Sequence, residues 1–265
     1  MRECWILYDR CDLEVNRFFA ERLRGYGEMA GMECSIVTTD SVDPEYAPDV
    51  VIARTRDHEM TSTLEDYGST VYNRSSVSRI CNDKSMTYSF ARGLGIPFLP
   101  YSLDREVLPD GPPWVVKSCL GHGGTEVFLA ETKDEVSDLF DSLDGRRPLA
   151  QEMAPVRGQD MRMYVLGGRV IASVMRSSDT DFRANHKLGG RAELCEPPSE
   201  ATEIVRRILP ELMPDFVGID FVFGRDCVYL NEIEDVVGTR MLYELTDLDP
   251  ALMYMEYVTQ SKISL

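Results

Sequence analysis

The sequence predicts two joined architectures, a small parallel α/β unit at the N-terminus and a larger α+β unit after it. Three observations carry this reading. Short apolar runs alternate with helical periodicity over the first 72 residues, glycine-centred hairpin signals dominate beyond residue 97, and 265 residues suffice for one large or two modest buried cores.

Trp5–Tyr8, Ser35–Thr38 and Val50–Ala53 are apolar or β-branched runs without the polar alternation of a half-exposed sheet. Between the first two, Leu13, Val15, Phe19 and Leu23 recur at helical spacing, with Asp12 as the expected N-cap. Strand, helix and strand at this spacing predict a parallel sheet covered on both faces. A Val71–Tyr72 strand and one helix carrying Val77, Ile80, Ala91 and Leu94 close the segment, and Gly95 with Pro97 ends it. Trp114–Lys117 and Val127–Ala130 then read as strands joined by a glycine-rich turn, followed by a helix with Val136, Leu139, Phe140 and Leu143. Met161–Leu166 and Arg169–Met175 flank Gly167-Gly168, a two-residue hairpin signal. A helix over Ser199–Met213, a second hairpin of Val217–Phe223 and Cys227–Ile233, and a last helix from Asp249 complete the pattern.

Hydrophobic residues at 43% and charged residues at 28% describe a soluble globular chain. No apolar run approaches the roughly 20 residues that a membrane-spanning helix needs, and no signal-peptide pattern is visible. Seven cysteines without a Cys-x-x-Cys pair, and three dispersed histidines (His58, His122 and His186), argue against a disulfide frame or a zinc cluster. A cytoplasmic location is expected. The net charge of −17 argues against a nucleic-acid partner. Residues 75–191 carry equal numbers of basic and acidic side chains, so the two ends hold the whole deficit. Within 158–191 six basic groups stand against three acids, a local balance that suits a small anion.

Three clusters carry chemistry. Gly121-His122-Gly123-Gly124 lies between two expected strands, just after Lys117. Glycines let backbone amides approach a phosphate closely, and an ammonium beside them adds charge. The segment is not a P-loop, because no Gly-Lys-Ser/Thr follows, nor a dinucleotide fingerprint, because a strand follows where a helix should. The second cluster is Asp220, Glu232 and Glu234. Glu232 and Glu234 are two apart on a strand and share a face. Asp220 joins them if the hairpin loop is Gly224-Arg225-Asp226, which sets Phe223 opposite Cys227 and Asp220 opposite Leu230. Grouped carboxylates suit a hard cation such as Mg2+, with water and phosphate oxygens completing its shell. The third cluster is Arg162, Arg176, Arg183, Lys187 and Arg191. Strand parity puts Arg162 and Arg176 on opposite faces, which makes Arg183 the preferred anion ligand.

In order and separation, these segments resemble the ATP-grasp superfamily, most closely its RimK-like branch of ribosomal-protein glutamate ligases. The resemblance runs over roughly residues 73–240. It rests on Asn-Asp-Lys-Ser at 82–85, Val-Val-Lys at 115–117, Gly-His-Gly-Gly at 121–124, Gln-Glu-Met at 151–153 and Gln-Asp-Met-Arg at 159–162. It continues with Asp-Phe-Arg-Ala-Asn at 181–185, Gly-Ile-Asp at 218–220 and Asn-Glu-Ile-Glu at 231–234. The resemblance implies an ATP-grasp fold over 73–265, with about 97–153 as a lid subdomain and 154–265 as the catalytic core. A small parallel-sheet domain over 1–72 precedes it.

By the same resemblance, Lys84 and Lys117 hold ATP phosphates under the 121–124 loop, Gln151, Glu152 and Met153 meet the adenine, and Asp160 lies near the ribose. Arg162 and Arg176 belong to the nucleotide site, Arg183 and Asn185 face the terminal phosphates and the acyl phosphate, and Asp220, Glu232 and Glu234 bind two Mg2+ (or Mn2+) ions. The chain departs from the branch at Glu234, where Asn is usual, at Glu126, where Gly is common, and in the turn Asp235–Arg240, which leaves the substrate open. The implied activity joins a small-molecule or peptide carboxylate to an amine through an acyl phosphate, with Arg183 or Arg240 steadying the oxyanion. A homodimer is the usual assembly. A small-molecule kinase and a non-catalytic nucleotide-binding interaction protein are the alternatives on this fold.

Overall fold

Consecutive apolar residues make β1 (Arg2–Tyr8) a strand buried on both sides. Cys4, Ile6 and Tyr8 pack toward α1 (Arg10–Met29), while Trp5 and Leu7 pack toward α2 (His58–Asp66). The computed structural model describes residues 1–43, 45–184 and 190–260. In it β2 (Met32–Thr38), β3 (Val50–Arg54) and β4 (Thr70–Tyr72) complete a parallel sheet of order β2-β1-β3-β4, as the apolar runs predict. The order changes direction between β1 and β3, so the carboxyl ends of these two neighbours flank a crevice. Asp9, not Asp12, stands at the N-cap of α1. Its carboxylate leaves the helix uncapped and accepts instead from Thr55 Oγ1 at 2.7 Å and Thr39 Oγ1 at 3.2 Å. Val15 belongs to the exposed face of α1 rather than to the core.

The single helix expected over residues 77–94 is two, α3 (Ser75–Cys81) and α4 (Lys84–Gly93). The break follows from Asp83, whose carboxylate accepts the backbone N–H groups of Ser85 and Met86 and so starts a new helix. Lys84 is thereby its first residue. Next come β5 (Tyr101–Ser102), β6 (Trp114–Ser118), β7 (Val127–Ala130), α5 (Lys133–Ser142) and β8 (Pro148–Glu152). They form an antiparallel sheet of order β5-β8-β6-β7 with a core of its own around Trp114, Val116, Val136 and Phe140.

The third sheet has the order β11-β10-β9-β12-β13, from β9 (Gln159–Leu166), β10 (Arg169–Ser177), β11 (Arg191–Leu194), β12 (Phe216–Phe223) and β13 (Val228–Glu234). The apolar stripe of α6 (Ser199–Leu212), with Ile204, Val205, Ile208 and Leu212, covers one face against Met163, Val165 and Ile219. Through Tyr164 and Phe216 the other face joins α1, β1 and the C-terminal α8 (Pro250–Gln260) in one continuous core, with α7 (Arg240–Leu245) beside it.

Two bulges in this sheet overturn the strand parity expected from the sequence. Ile171 is an extra residue in β10, so Arg162 opposes Val174 and Arg176 opposes Asp160. Arg162 and Arg176 therefore share a face. In the other hairpin Phe223 opposes Val228, not Cys227, because the loop is one residue longer. A bulge at Asn231 then sets Asp220 opposite Glu232, not Leu230, and Gly218 opposite Glu234. The three acids do share a face, by a different count from the expected one.

Asn73 fastens the start of the second unit to β12. Buried at 2% exposure, it accepts from the N–H groups of Asp215 (2.6 Å) and Phe216 (3.1 Å) and donates to the Phe216 carbonyl (2.9 Å). Asn73→Ala leaves these buried backbone groups unpaired and is expected to cost about 2–4 kcal/mol in urea unfolding. A loss below about 1 kcal/mol would show that the backbone finds other partners.

Candidate active site

Between the β5-β8-β6-β7 sheet and the β9–β13 sheet lies a cleft of about 210 Å³. Lys84, Lys117, Gly121–Gly124, Gln151–Met153, Asp160, Arg162, Arg176, Arg183, Asp220, Glu232 and Glu234 all line it. These residues come from α4, β6, β8, β9, β10, β12 and β13 and from the loops after β6, β8 and β10, so the site exists only when these elements are assembled.

The two lysines enter from one side. Lys84 Nζ bonds Glu232 Oε1 at 3.0 Å and also donates to the Gly121 carbonyl. Burial works against its charge, but Glu232 outweighs burial and its pKa is raised. Lys117 Nζ donates to Tyr88 Oη at 3.1 Å and Asn231 Oδ1 at 3.2 Å, with no carboxylate of its own. Burial, and then the neighbouring Lys84 charge, push its pKa down to about 7.

Opposite them the acids are held by arginines. Arg162 binds Asp220 in a two-pronged pair, Nε to Oδ1 and Nη2 to Oδ2, both at 2.7 Å. Arg176 Nη2 reaches the same Oδ2 at 2.8 Å, and its Nε bonds Asp160. Although burial opposes ionisation, the two guanidiniums hold the Asp220 carboxyl far below the ordinary carboxylate range. Glu234 Oε2 forms an ion pair with Arg162 Nη1 at 2.7 Å, outside hydrogen-bonding geometry. Among the described residues no three His, Cys, Asp or Glu side chains converge as a ready metal cluster. The expected acidic triad is thus co-facial, with its charge already distributed over Lys84, Arg162 and Arg176.

The glycine loop closes the top. Arg183 Nη1 donates to the carbonyls of Gly124 (3.1 Å) and Val127 (3.3 Å) across the cleft, while Asp181 orients the rest of its guanidinium. Glu126, the departure from the usual glycine, pairs with Arg146 at 2.6 Å and fixes the base of the loop.

Gln151 lines the wall, but its side chain is taken up by the Leu99 carbonyl (3.0 Å) and Tyr88 Oη (3.3 Å). Asp160 is tied to Arg176 at the same wall. Arg240 is exposed at the start of α7 and does not line the cleft, and Asn185 and Lys187 lie outside the described residues. Sequence reasoning missed Tyr88 and Asn231, the partners of Lys117, and the apolar wall of Leu99, Val115, Val156 and Val222. Asn231 sits inside the Asn-Glu-Ile-Glu segment and could have been found as a polar residue among strand apolars. The wall residues carry no signal separating them from ordinary core.

The model of the RimK-like ATP-grasp domain matches residues 107–258. Beta-citrylglutamate synthase B of Danio rerio is 34% identical over 177 residues, covering 62% of this chain and 44% of its own length. N-acetylaspartylglutamate synthase A of Mus musculus is 30% identical over 233 residues, 79% of this chain and 61% of its own length. The match spans less than two thirds of either relative. Among solved structures, a RimK domain ATP-grasp protein of Sphaerobacter thermophilus superposes with a TM-score of 0.73 at 20% identity, over 97% of this chain and 99% of that one. D-alanine–D-alanine ligase of Bacillus anthracis complexed with ATP gives 0.74 at 15% identity, over 97% and 96%. Fold, cleft and sequence match agree: this chain belongs to the RimK-like ATP-grasp family.

Proposed function

We propose that the chain is an ATP-dependent ligase that joins a carboxylate to an amine through an acyl phosphate. The observation that carries this is the facing of Lys84 and Lys117 against Glu232, Glu234 and Asp220 beneath a glycine loop. The lysines would neutralise the phosphates, the loop amides would cradle them, and the apolar wall beside Gln151–Met153 would take the adenine. Asp160 would meet the ribose. The second carboxylate oxygens of Glu232 and Glu234, the ones not paired with Lys84 and Arg162, would suit Mg2+, which protein sites commonly hold by one or two carboxylates plus substrate phosphates. Asp220 would join them when Arg162 and Arg176 turn to the phosphates. When bound, the ion would supply charge neutralisation at the transferred phosphoryl group.

The acceptor carboxylate oxygen would attack the γ-phosphorus and ADP would leave. The amine would then attack the acyl carbon and expel phosphate. Arg183, which donates to the Gly124 and Val127 carbonyls, would steady the oxyanion and hold the loop shut against water. Arg240 has no part in this scheme from its exposed place on α7. The relatives' names make glutamate the first amine to test. The seven free thiols support a reducing, cytoplasmic setting, and no described helix is long and apolar enough to cross a membrane.

Two measurements check the reading. ADP release across a panel of carboxylates and amino acids, with products read by mass spectrometry, should require both substrates. Glu232→Gln should lower the rate ~10²-fold or more while leaving the fold intact, and near-normal turnover would remove the metal assignment. Asp220→Asn is the poorer probe, because it removes the buried carboxylate that two guanidiniums share and should cost about 3 kcal/mol or more of stability.

The second concerns Lys117. With its pKa near 7, the free protein holds this lysine mostly neutral at pH 8, whereas a bound phosphate favours the ammonium. Nucleotide binding at pH 8 should therefore take up a proton, and affinity should fall as pH rises through 7. Calorimetry in two buffers of different ionisation enthalpy measures the uptake, which should vanish in Lys117→Arg.

A further inference from the structure

We propose that Tyr88, seated behind the cleft wall, is the positioning residue for Lys117. Its hydroxyl holds the lysine away from Glu232, which keeps Lys117 for a phosphate and one Glu232 oxygen for Mg2+. The inference rests on the ligase reading only in taking the cleft as a nucleotide site.

Tyr88 follows Lys84 by one turn of α4 and is fully buried. Its ring is stacked on Phe98 with centroids 5.2 Å apart and tilted against Tyr101 at 4.9 Å. A phenol anchored in this way has one place for its oxygen. That oxygen accepts from Lys117 Nζ at 3.1 Å and donates to the Asn231 carbonyl at 2.9 Å. Gln151 Oε1 is a second acceptor at 3.3 Å, and its amide is held in turn by the Leu99 carbonyl at 3.0 Å. Asn231 also offers its Oδ1 to Lys117 at 3.2 Å, so two neutral oxygens fix the amine.

The neutrality of these partners decides what the lysine can do. Lys84 commits its charge to Glu232 Oε1 at 3.0 Å, which leaves Glu232 a second oxygen. The Glu232 charge also acts on Lys117. A desolvated ammonium released from neutral partners gains most from an opposite charge, and Glu232 is the carboxylate whose field reaches it. Such a pair would close the second Glu232 oxygen to a metal ion and cancel the charge that a phosphate needs. A hydroxyl aims the amine without cancelling its charge.

Tyr88→Phe removes the oxygen and keeps the ring stack. The full chain is compared as wild type, Tyr88→Phe, Lys117→Met and the double variant. Calorimetry with Mg2+ and a non-hydrolysable ATP analogue reads nucleotide affinity, and saturation-transfer NMR reads adenosine. Tyr88→Phe should weaken the analogue roughly tenfold and leave adenosine unchanged, because adenosine carries no phosphate. In the Lys117→Met background the same change should have no further effect, since no lysine is left to aim. Mn2+ titrated in the presence of the analogue, followed by electron paramagnetic resonance, reads the metal side. Its half-saturating concentration should rise in Tyr88→Phe and return in the double variant to that of Lys117→Met.

Overturning results are wild-type analogue affinity in Tyr88→Phe, an equal loss for adenosine, a loss that persists without Lys117, or an unmoved Mn2+ requirement. Any of these in a chain whose wild type binds the analogue removes the role of Tyr88 alone. A wild type that binds no nucleotide removes the ligase reading together with that role.

Discussion

The buried pairing of Asp220 with Arg162 and Arg176 is the constraint around which the catalytic sheet is arranged. One carboxylate on β12 meets guanidiniums from β9 and β10, all in the interior. Each of these charges would be prohibitive alone, and only their mutual contact makes the interior tolerable. The contact demands that Arg162 and Arg176 point the same way, which an unbroken two-residue hairpin could not provide. The extra residue in β10 satisfies that demand. The extra residue in β13 does the same for Glu232 and Glu234 relative to Asp220. Irregularities in the ladder are therefore part of how charge is placed.

Much of the architecture was legible in the sequence. The apolar runs of β1 and β3 announced a sheet buried on both faces, and the stripe of α6 announced which side of the second sheet would be covered. Lys117, the glycine loop and the three acids were found by type and spacing, because phosphate chemistry calls for such groups, whereas Lys84, Gln151–Met153 and Asp160 were reached only through the family resemblance. What escaped notice has a common cause. A bulge has no compositional signature in Ile171 or Asn231, so face assignments that depend on parity could not be read. The helix break at Asp83 was visible only as one polar residue among several. Asp12 looked like a cap because it precedes the apolar stripe, but Asp9 occupies that position and its carboxylate serves Thr55 and Thr39 instead. Tyr88 and Asn231 carry no local mark because their role is defined by the approach of Lys117 from a strand far away in sequence.

The charge arrangement in the cleft is nearly self-balanced. Lys84 has Glu232, Arg162 has Asp220 and Glu234, and Arg176 has Asp160 and Asp220, whereas Lys117 faces neutral oxygens only. A polyanion entering this space displaces existing pairs more than it fills a void, so affinity is a difference between two well-satisfied states.

The distribution of cores has a mechanical consequence. The β5-β8-β6-β7 sheet has a core around Trp114 and Phe140 and meets α4 through Leu149, Cys119 and Tyr88, whereas the N-terminal sheet and the β9–β13 sheet share one apolar interior from Tyr8 and Phe19 through Tyr164 and Phe216 to Tyr254. Cutting the chain near residue 72 would therefore divide a single body.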